Sequence, residues 1–261
     1  MLKVGIIGCG AIGSILAKAI ANGEAGDAKL SSFYDVKEEC ARRLEQKIRG
    51  RCCPASSFRE LLESDADIII EAASQQAVRE YGEKVLREGK GLVVMSVGAL
   101  LDDALLARLK TAAKEGGAKI HVPSGAVLAV DALKAAKLGG ISSVELTTSK
   151  PPHALGIKAA KKKVVFSGSA EEAVRKFPQN INVAATLSLA GIGKEKTKVT
   201  IIADPKLKKN VHVLKVKAKS GDFSATIENM PSPENPKTSY IAALSAIQLL
   251  RNLTETVKIG T

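Results

Sequence analysis

The sequence has little of what several protein classes require. Tryptophan is absent and aromatic residues make up 3% of the 261 residues, so the base-stacking surfaces of single-strand nucleic-acid binders are scarce. Neither a helix-turn-helix pattern nor a basic stripe is evident. No apolar run approaches the about 20 residues that span a bilayer, and the start, Met1-Leu2-Lys3, lacks a signal-peptide layout. We therefore expect a soluble, cytoplasmic protein that binds neither nucleic acid nor membrane.

Cysteine and histidine are few: Cys9, Cys40, Cys52 and Cys53, and His121, His153 and His212. No two cysteines form a C-x-x-C pair and the histidines are dispersed, so no metal site is expected. No cysteine follows residue 53. This excludes a semialdehyde dehydrogenase, which would need a thiol nucleophile in its substrate domain.

The charge is strongly positive, with 39 Lys and Arg against 27 Asp and Glu and a net charge of +12. Most lysines are scattered, and the short clusters are Lys161–Lys163 and the segment 206–209. A basic protein without nucleic-acid motifs suits an acidic small molecule, so we expect an acidic metabolite as the substrate.

The hydrophobic pattern predicts two domains of different construction. In residues 1–122, continuous apolar strands alternate with amphipathic helices, which is typical of a Rossmann-type α/β domain with a parallel sheet. In residues 123–236, several strands follow one another between helices, which predicts an α+β domain with a mixed or antiparallel sheet. Its first helix is expected from Val127. A last helix, expected from Ser239, lies in the segment 237–261, which we expect to pack back on the first domain.

A glycine-rich stretch, Gly8-x-Gly10-x-x-Gly13, lies between the first strand and the first helix. Gly8 permits the tight turn, Gly10 lets a pyrophosphate approach the backbone, and Gly13 lets helix and strand pack closely. The N–H groups at the helix start, those of Ala11 and Ile12 among them, face the phosphates. This pattern predicts a dinucleotide site.

Asp35 ends the second strand, 22 residues after Gly13. A carboxylate there can accept hydrogen bonds from both hydroxyls of an adenosine ribose and repels a 2′-phosphate. We therefore expect NAD as the cofactor, with NADP possible because Lys37 and Arg42 lie nearby in sequence. The alternative is a plain strand-helix turn with a solvated Asp35.

Ala73 and Ser74 follow the end of the third predicted strand, where ligands of open α/β sheets bind. Their small side chains would let the nicotinamide half of a cofactor pass. An ordinary helix start with Ser74 as its N-cap explains the same residues equally well.

Several long segments resemble the L-aspartate dehydrogenase family. They are "HVPSGAVLAVDAL" (121–133), "SKPPHAL" (149–155), "FPQNINVAATLSLAGIG" (177–193), "ADPKLKKNVHVLKV" (203–216), "ENMPSPENPKTSYIAALSAIQLLR" (228–251) and the terminal "KIGT". The resemblance covers nearly the whole chain and includes loops that have no packing reason to agree.

The resemblance implies reversible oxidation of L-aspartate with NAD or NADP, through iminoaspartate, to oxaloacetate and ammonia. The released imine would feed quinolinate formation and thus NAD biosynthesis. His212, which by its strand position alone is more readily a core residue, matches the catalytic histidine of the family. The family contacts near the nicotinamide match Ala126 and Asn182. Asn182 would also suit a helix N-cap.

The two carboxylates of aspartate need cationic or N–H partners, and the candidates are Lys150, Lys237 and Thr238 at the start of the expected last helix. Asn229 lies in the recognisable loop and would shape the pocket, although turn chemistry also explains it. The alternative for Lys150 and Lys237 is a solvated surface position, because most lysines are surface residues. We expect a homodimer, the commonest oligomer. Two other functions stay open: a related imine or amino-acid reductase with another substrate, and a non-catalytic NAD-binding regulator.

Overall fold

The structure is a computed structural model that describes residues 1–177, 181–232 and 235–260, without the side chains of 235–237. The chain forms two compact units. The first unit comprises residues 1–123 and 243–259, and the second comprises residues 124–242 with Gly260.

The first unit holds a five-stranded sheet in which every pairing is parallel. Its strands are Leu2–Ile7 (β1), Ala28–Tyr34 (β2), Ile68–Glu71 (β3), Gly91–Val94 (β4) and Ile120–His121 (β5). Its helices are Ala11–Ala21 (α1), Glu38–Lys47 (α2), Phe58–Glu63 (α3), Gln75–Arg87 (α4) and Asp103–Glu115 (α5), with a 3-10 helix at Val97–Leu101. The predicted α/β class with a parallel sheet is confirmed.

The strand order β2-β1-β3-β4-β5 changes direction between β1 and β3. Connections that leave β1 and β3 run to opposite sides, so their carboxyl ends border a crevice, where ligands of such sheets bind. Strand β3 is buried along its whole length, because helices cover both sheet faces. The glycine stretch and the segment 72–74 both follow strands at this crevice.

The second unit holds a mixed five-stranded sheet of order β10-β9-β6-β8-β7. The strands of the unit are Ile141–Lys150 (β6), Lys163–Ser169 (β7), Thr197–Ala203 (β8), Asn210–Ala218 (β9), Phe223–Asn229 (β10), and the small pair Pro231–Ser232 (β11) and Asn235–Ser239 (β12). The helices that follow residue 123 are Val130–Gly139 (α6), Ala170–Lys176 (α7), Asn182–Ala190 (α8) and Tyr240–Thr254 (α9), with a 3-10 helix at Pro152–Leu155. Only β6 and β8 pair in parallel; the other pairs of the sheet are antiparallel. The predicted mixed sheet is therefore confirmed.

Alternate residues of β6 and β9 bury one face of this sheet. Val144, Leu146, Leu214 and Val216 are at most 2% exposed, and they form a core with α6 and α8 that includes Leu187. The period of two that is visible in the sequence thus produces the buried face directly.

Helix α9 contributes Ala246, Ile247 and Leu250 to the core of the first unit, which also contains Leu16 and Ile20 of α1. In the described part of the chain, no helix is long and apolar enough to cross a membrane.

Two expectations about helix starts were wrong, and one short helix was missed. The helix expected from Val127 begins at Val130, because Ala129 adopts the left-handed conformation with φ 61°, which breaks a helix. The last helix begins at Tyr240, since residues up to Ser239 extend as β12. Thr238 therefore lies in a strand. The short helix α3, capped by Ser57, has only six residues and was missed.

Candidate functional site

The three glycines after β1 are required for different reasons. Gly8 has φ +98°, and a Cβ on it would lie 2.8 Å from the Ala72 carbonyl group. A Cβ on Gly13 would overlap the Gly8 carbonyl oxygen. A Cβ on Gly10 would meet nothing within 4 Å, and Gly10 is exposed. The fold itself therefore requires Gly8 and Gly13, whereas the bare backbone of Gly10 leaves room for a molecule from outside.

Helix α1 begins behind Gly10 without a side-chain cap, and its first turn has no acidic residue. Ala11 and Ile12 are half-buried there. Unsatisfied N–H groups and the positive end of the helix dipole make such a terminus an anion site. The loop and the helix start together fit the pyrophosphate of a dinucleotide.

Asp35 braces the glycine loop from the end of β2. One carboxylate oxygen accepts the Cys9 N–H at 2.8 Å and the other accepts the Lys37 N–H at 2.8 Å. A carboxylate has about four lone-pair sites, so the half-buried Asp35 can also accept ribose hydroxyls. Burial, assisted by the Asp35 charge, raises the pKa of the Cys9 thiol to about 12, which keeps this buried cysteine unreactive.

Glu71 is a site residue that the sequence reasoning missed. It ends β3, is 1% exposed, and accepts hydrogen bonds from the N–H groups of Ala73, Ser74 and Ser96 at 2.8 to 3.0 Å. It also accepts the Ser96 hydroxyl at 2.8 Å. Burial raises the pKa of Glu71, while these hydrogen bonds oppose the shift. The Glu71 carboxylate thus joins the loops that follow β3 and β4. In the sequence, the sign of this role was a single acidic residue at the end of the apolar strand Ile68–Glu71.

Ala73 and Ser74 are held by this carboxylate. Their N–H groups both donate to Glu71, and the Ser74 hydroxyl accepts the Ala77 N–H at 3.2 Å as the N-cap of α4. The structure therefore gives Ser74 the capping role. A contact of either residue with a cofactor stays a prediction.

The second unit has a polar end on the buried face of its sheet. Thr148, Lys150, Asn210, His212 and Asn229 are all at most 6% exposed. They lie where β6 ends, β9 begins and β10 ends, because Thr148 pairs with His212 and Asn210 pairs with Asn229. Burial of so many polar groups costs free energy unless they are hydrogen-bonded. Their concentration at one end of an apolar face therefore indicates a functional site.

His212 is the central group of this polar end. It is 4% exposed, and its Nδ1 lies 2.9 Å from the Thr148 hydroxyl. Burial, and secondarily the charge of Lys150, lowers the pKa of His212 to about 3. The imidazole is therefore neutral at physiological pH. In the free protein this pKa therefore lies well below the about 6.5 of an unperturbed histidine.

Lys150 is a buried cation beside this histidine. It is 6% exposed, and burial lowers the pKa of its ammonium group to about 8. The end of its strand is fixed by the Asp204 N–H, which donates to the Lys150 carbonyl oxygen at 2.9 Å. A charged group kept this deep suits an anionic ligand.

The other residues predicted for the second unit are Ala126, Asn182, Asn229, Lys237 and Thr238. The Asn229 amide donates to the Ala126 carbonyl oxygen at 2.9 Å, so it ties the buried segment around Ala126 to β10. Thr238 is half-buried in β12, and the Lys237 side chain lies outside the described residues. Asn182 is exposed and follows the capping residue, Ile181, so the N-cap expectation for it was wrong.

Ser232, in β11, is 4% exposed, and its hydroxyl has no hydrogen-bond partner among the described residues. No group of three or more potential metal ligands occurs in the same described ranges.

Comparisons with known proteins match both parts of the chain. The family model "Homoserine dehydrogenase, NAD binding domain" matches residues 8–123, and "Aspartate dehydrogenase, C-terminal" matches residues 131–253. L-aspartate dehydrogenases of Methanosarcina acetivorans and Methanosarcina mazei are 48% and 47% identical, with 100% of each chain covered. The crystal structure of aspartate dehydrogenase from Thermotoga maritima is 32% identical, with a TM-score of 0.82 and 100% of both chains covered.

Two independent family models and full-length similarity agree with the nucleotide loop in the first unit and the buried histidine in the second. The chain therefore belongs to the aspartate dehydrogenase family, whose members are NAD(P)-dependent amino-acid dehydrogenases.

Proposed function

We propose that the protein is an L-aspartate dehydrogenase that oxidises L-aspartate through iminoaspartate to oxaloacetate and ammonia, with NAD as the preferred cofactor. The observation that carries the proposal is the buried His212 beside Lys150, at the polar end of the second sheet in a chain of this family. Dehydrogenation needs a base near the substrate and a cation for its carboxylates. This end of the sheet supplies both.

The first unit would hold the cofactor by Gly8, Gly10, Gly13 and the start of α1. The bound nicotinamide supplies the hydride acceptor. Asp35 would accept the adenosine ribose hydroxyls, which favours NAD because a 2′-phosphate would meet a carboxylate. The Arg42 guanidinium pairs with Glu38 at 2.7 Å, so a 2′-phosphate would compete with that carboxylate for it. From the family resemblance, we also assign Ala126 and Asn182 to the nicotinamide end.

In the second unit, Lys150 would bind one substrate carboxylate. His212 would act as the general base for the water that attacks the imine carbon, and Thr148 would hold the imidazole in the tautomer that carries its proton on Nδ1. The free Nε2 lone pair is then the base. The carboxylates of a substrate bound at Lys150 add negative charge beside His212, and negative charge raises a histidine pKa. The substrate itself would thus make the imidazole basic enough for the reaction.

From the family resemblance, released iminoaspartate would supply quinolinate formation, and thus NAD biosynthesis. Independently of the resemblance, the protein would act in the cytoplasm as a homodimer, the commonest oligomer. Lys237 and Thr238 would serve as further partners of the substrate carboxylates, and Asn229 would shape the substrate pocket.

The test compares reduction of NAD and NADP with L-aspartate and a panel of other amino acids, and oxidation of NADH with oxaloacetate plus ammonium. We expect aspartate with NAD to give the highest kcat/KM. His212→Ala should lose at least about 100-fold in kcat, the usual contribution of a general base, and should bind NADH normally. Greater activity with another amino acid would favour the related-reductase alternative, and near-normal turnover of His212→Ala would refute the role of the histidine.

A further inference from the structure

Two lysine clusters that are separate in the sequence lie at the same end of the second sheet. The connection from β6 to β7 contains Lys158, Lys161 and Lys162, and Lys163 is the first residue of β7; the connection from β8 to β9 contains Lys206, Lys208 and Lys209. Ala203, the last residue of β8, pairs with Lys163 on one side and with Lys150 on the other. Because β6 and β8 end where β7 and β9 begin, both connections lie at the polar end of the sheet, where His212 also lies. We call these seven lysines the lysine rim.

The rim carries a large share of the protein's charge. In the segments 158–163 and 204–209, seven lysines stand against one aspartate, a net charge of +6, which is half of the net +12 of the whole chain. Lys162 contacts Asp204 at 4.0 Å and Lys209 pairs with Glu228 at 3.4 Å. The other five rim lysines form no ion pair within residues 1–177, 181–232 and 235–260.

An uncompensated cluster of like charges is unfavourable for the fold, because the lysines repel one another. It also produces a positive potential that raises the local concentration of anions and speeds their association by about 10-fold to about 1,000-fold. The rim lies at the end of the sheet where β6 ends in the buried Lys150.

We propose that the lysine rim is an electrostatic collecting surface for dicarboxylate substrates, which it concentrates at the polar end of the sheet before they reach Lys150 and His212. The inference rests on the proposed function, because it takes the dicarboxylates to be L-aspartate and oxaloacetate. At neutral pH, oxaloacetate carries two negative charges, whereas aspartate carries two carboxylates and an ammonium group. The rim should therefore favour oxaloacetate more strongly than aspartate.

The chain offers a matched pair of variants. The rim variant replaces Lys161, Lys163, Lys206 and Lys208 by Gln. The control variant replaces Lys196, Lys215, Lys217 and Lys219 by Gln; these lie at the opposite end of the same sheet. All eight lysines are exposed, and both variants lose the same charge. None of the eight is a residue of the proposed catalytic site.

The experiment measures kcat/KM for oxaloacetate and for aspartate, at saturating cofactor, from about 0.02 M to about 0.5 M salt, over which the Debye length falls from about 20 Å to about 4 Å. In the rim variant, we expect kcat/KM for oxaloacetate at low salt to fall about five- to tenfold, with kcat unchanged and a flatter salt dependence. The loss for aspartate should be smaller. The control variant should match the wild type.

Equal salt dependence in the rim and control variants would overturn the proposal, as would equal losses for both substrates. Wild-type protein that turns over neither substrate would instead refute the proposed function. Calorimetric binding of oxaloacetate to the same three proteins then decides the role of the rim without turnover. The rim variant alone should bind oxaloacetate more weakly at low salt, and equal affinity in all three proteins would overturn the proposal.

Discussion

The buried imidazole of His212 should make the protein sensitive to mild acid. Its pKa in the folded protein is about 3, against about 6.5 in an unfolded chain. Below about pH 6.5, the unfolded chain binds a proton at this histidine that the folded chain does not, so the free energy of unfolding falls as the pH falls. The free energy of unfolding continues to fall until the pH reaches the pKa of His212 in the folded protein.

The size of this effect follows from the two pKa values. From about pH 7 to about pH 5, the contribution of one such histidine falls by about 2 kcal/mol. The figure is insensitive to the folded pKa, because at pH 5 the buried imidazole remains neutral whether that pKa is 3 or 4. His212→Gln removes the titrating group and should therefore remove about 2 kcal/mol of the pH dependence.

The measurement is urea unfolding of both proteins at these two pH values. Because the chain has no tryptophan, unfolding is followed by circular dichroism. His121 also has a lowered pKa, from burial and the nearby Lys119 charge, but it is present in both proteins and cancels in the comparison. His153→Gln, at an exposed position, is the control and should behave as the wild type. Equal pH dependence in wild type and His212→Gln would refute the burial of a neutral imidazole at the site.

Three further predictions concern single residues. Thr148→Val should lower kcat about tenfold or more and shift the pH profile of kcat, with the KM for aspartate little changed, whereas Thr148→Ser should restore the rate, because outer partners of a functional histidine have effects of this size. Gly10→Ala should weaken cofactor binding about tenfold or more, measured by fluorescence titration of NADH, without loss of stability. Gly13→Ala should instead lower the free energy of unfolding by about 1–3 kcal/mol, because its Cβ has no space. Asp35→Asn, which removes the charge and keeps one of the two acceptor oxygens, should raise kcat/KM with NADP relative to NAD about tenfold or more in steady-state assays.

The sequence was sufficient wherever a feature is encoded locally. Gly8, Gly10 and Gly13 predicted the strand, turn and helix at their positions, and the periods of two and 3.6 predicted most strands and helices. Helix starts were harder. Whether Ala129 continues a helix or turns out of it depends on a left-handed backbone angle, and neither its side chain nor its neighbours indicate that angle.

Two buried contacts, one in each unit, were not predicted, because each joins segments that are distant in the sequence. Glu71 reads locally as the polar end of an apolar strand, and only the fold brings Ser96, 25 residues away, into contact with it. Thr148 reads as one of many threonines in a strand, and its partner His212 lies 64 residues later. Strand register decides such pairs, and a shift by one residue would turn either side chain to the other face.

The charge of the protein is difficult to interpret from its sequence for the same physical reason. Lysines at 158–163 and at 204–209 read as two solvated loops, and solvated loops need no functional explanation. They become one surface only because β6 and β8 run in parallel and end together. Had these two strands paired antiparallel, the loops would lie at opposite ends of the sheet and only one of them could influence Lys150. The parallel pair in an otherwise antiparallel sheet is thus the structural reason why half of the protein's net charge can act on one substrate.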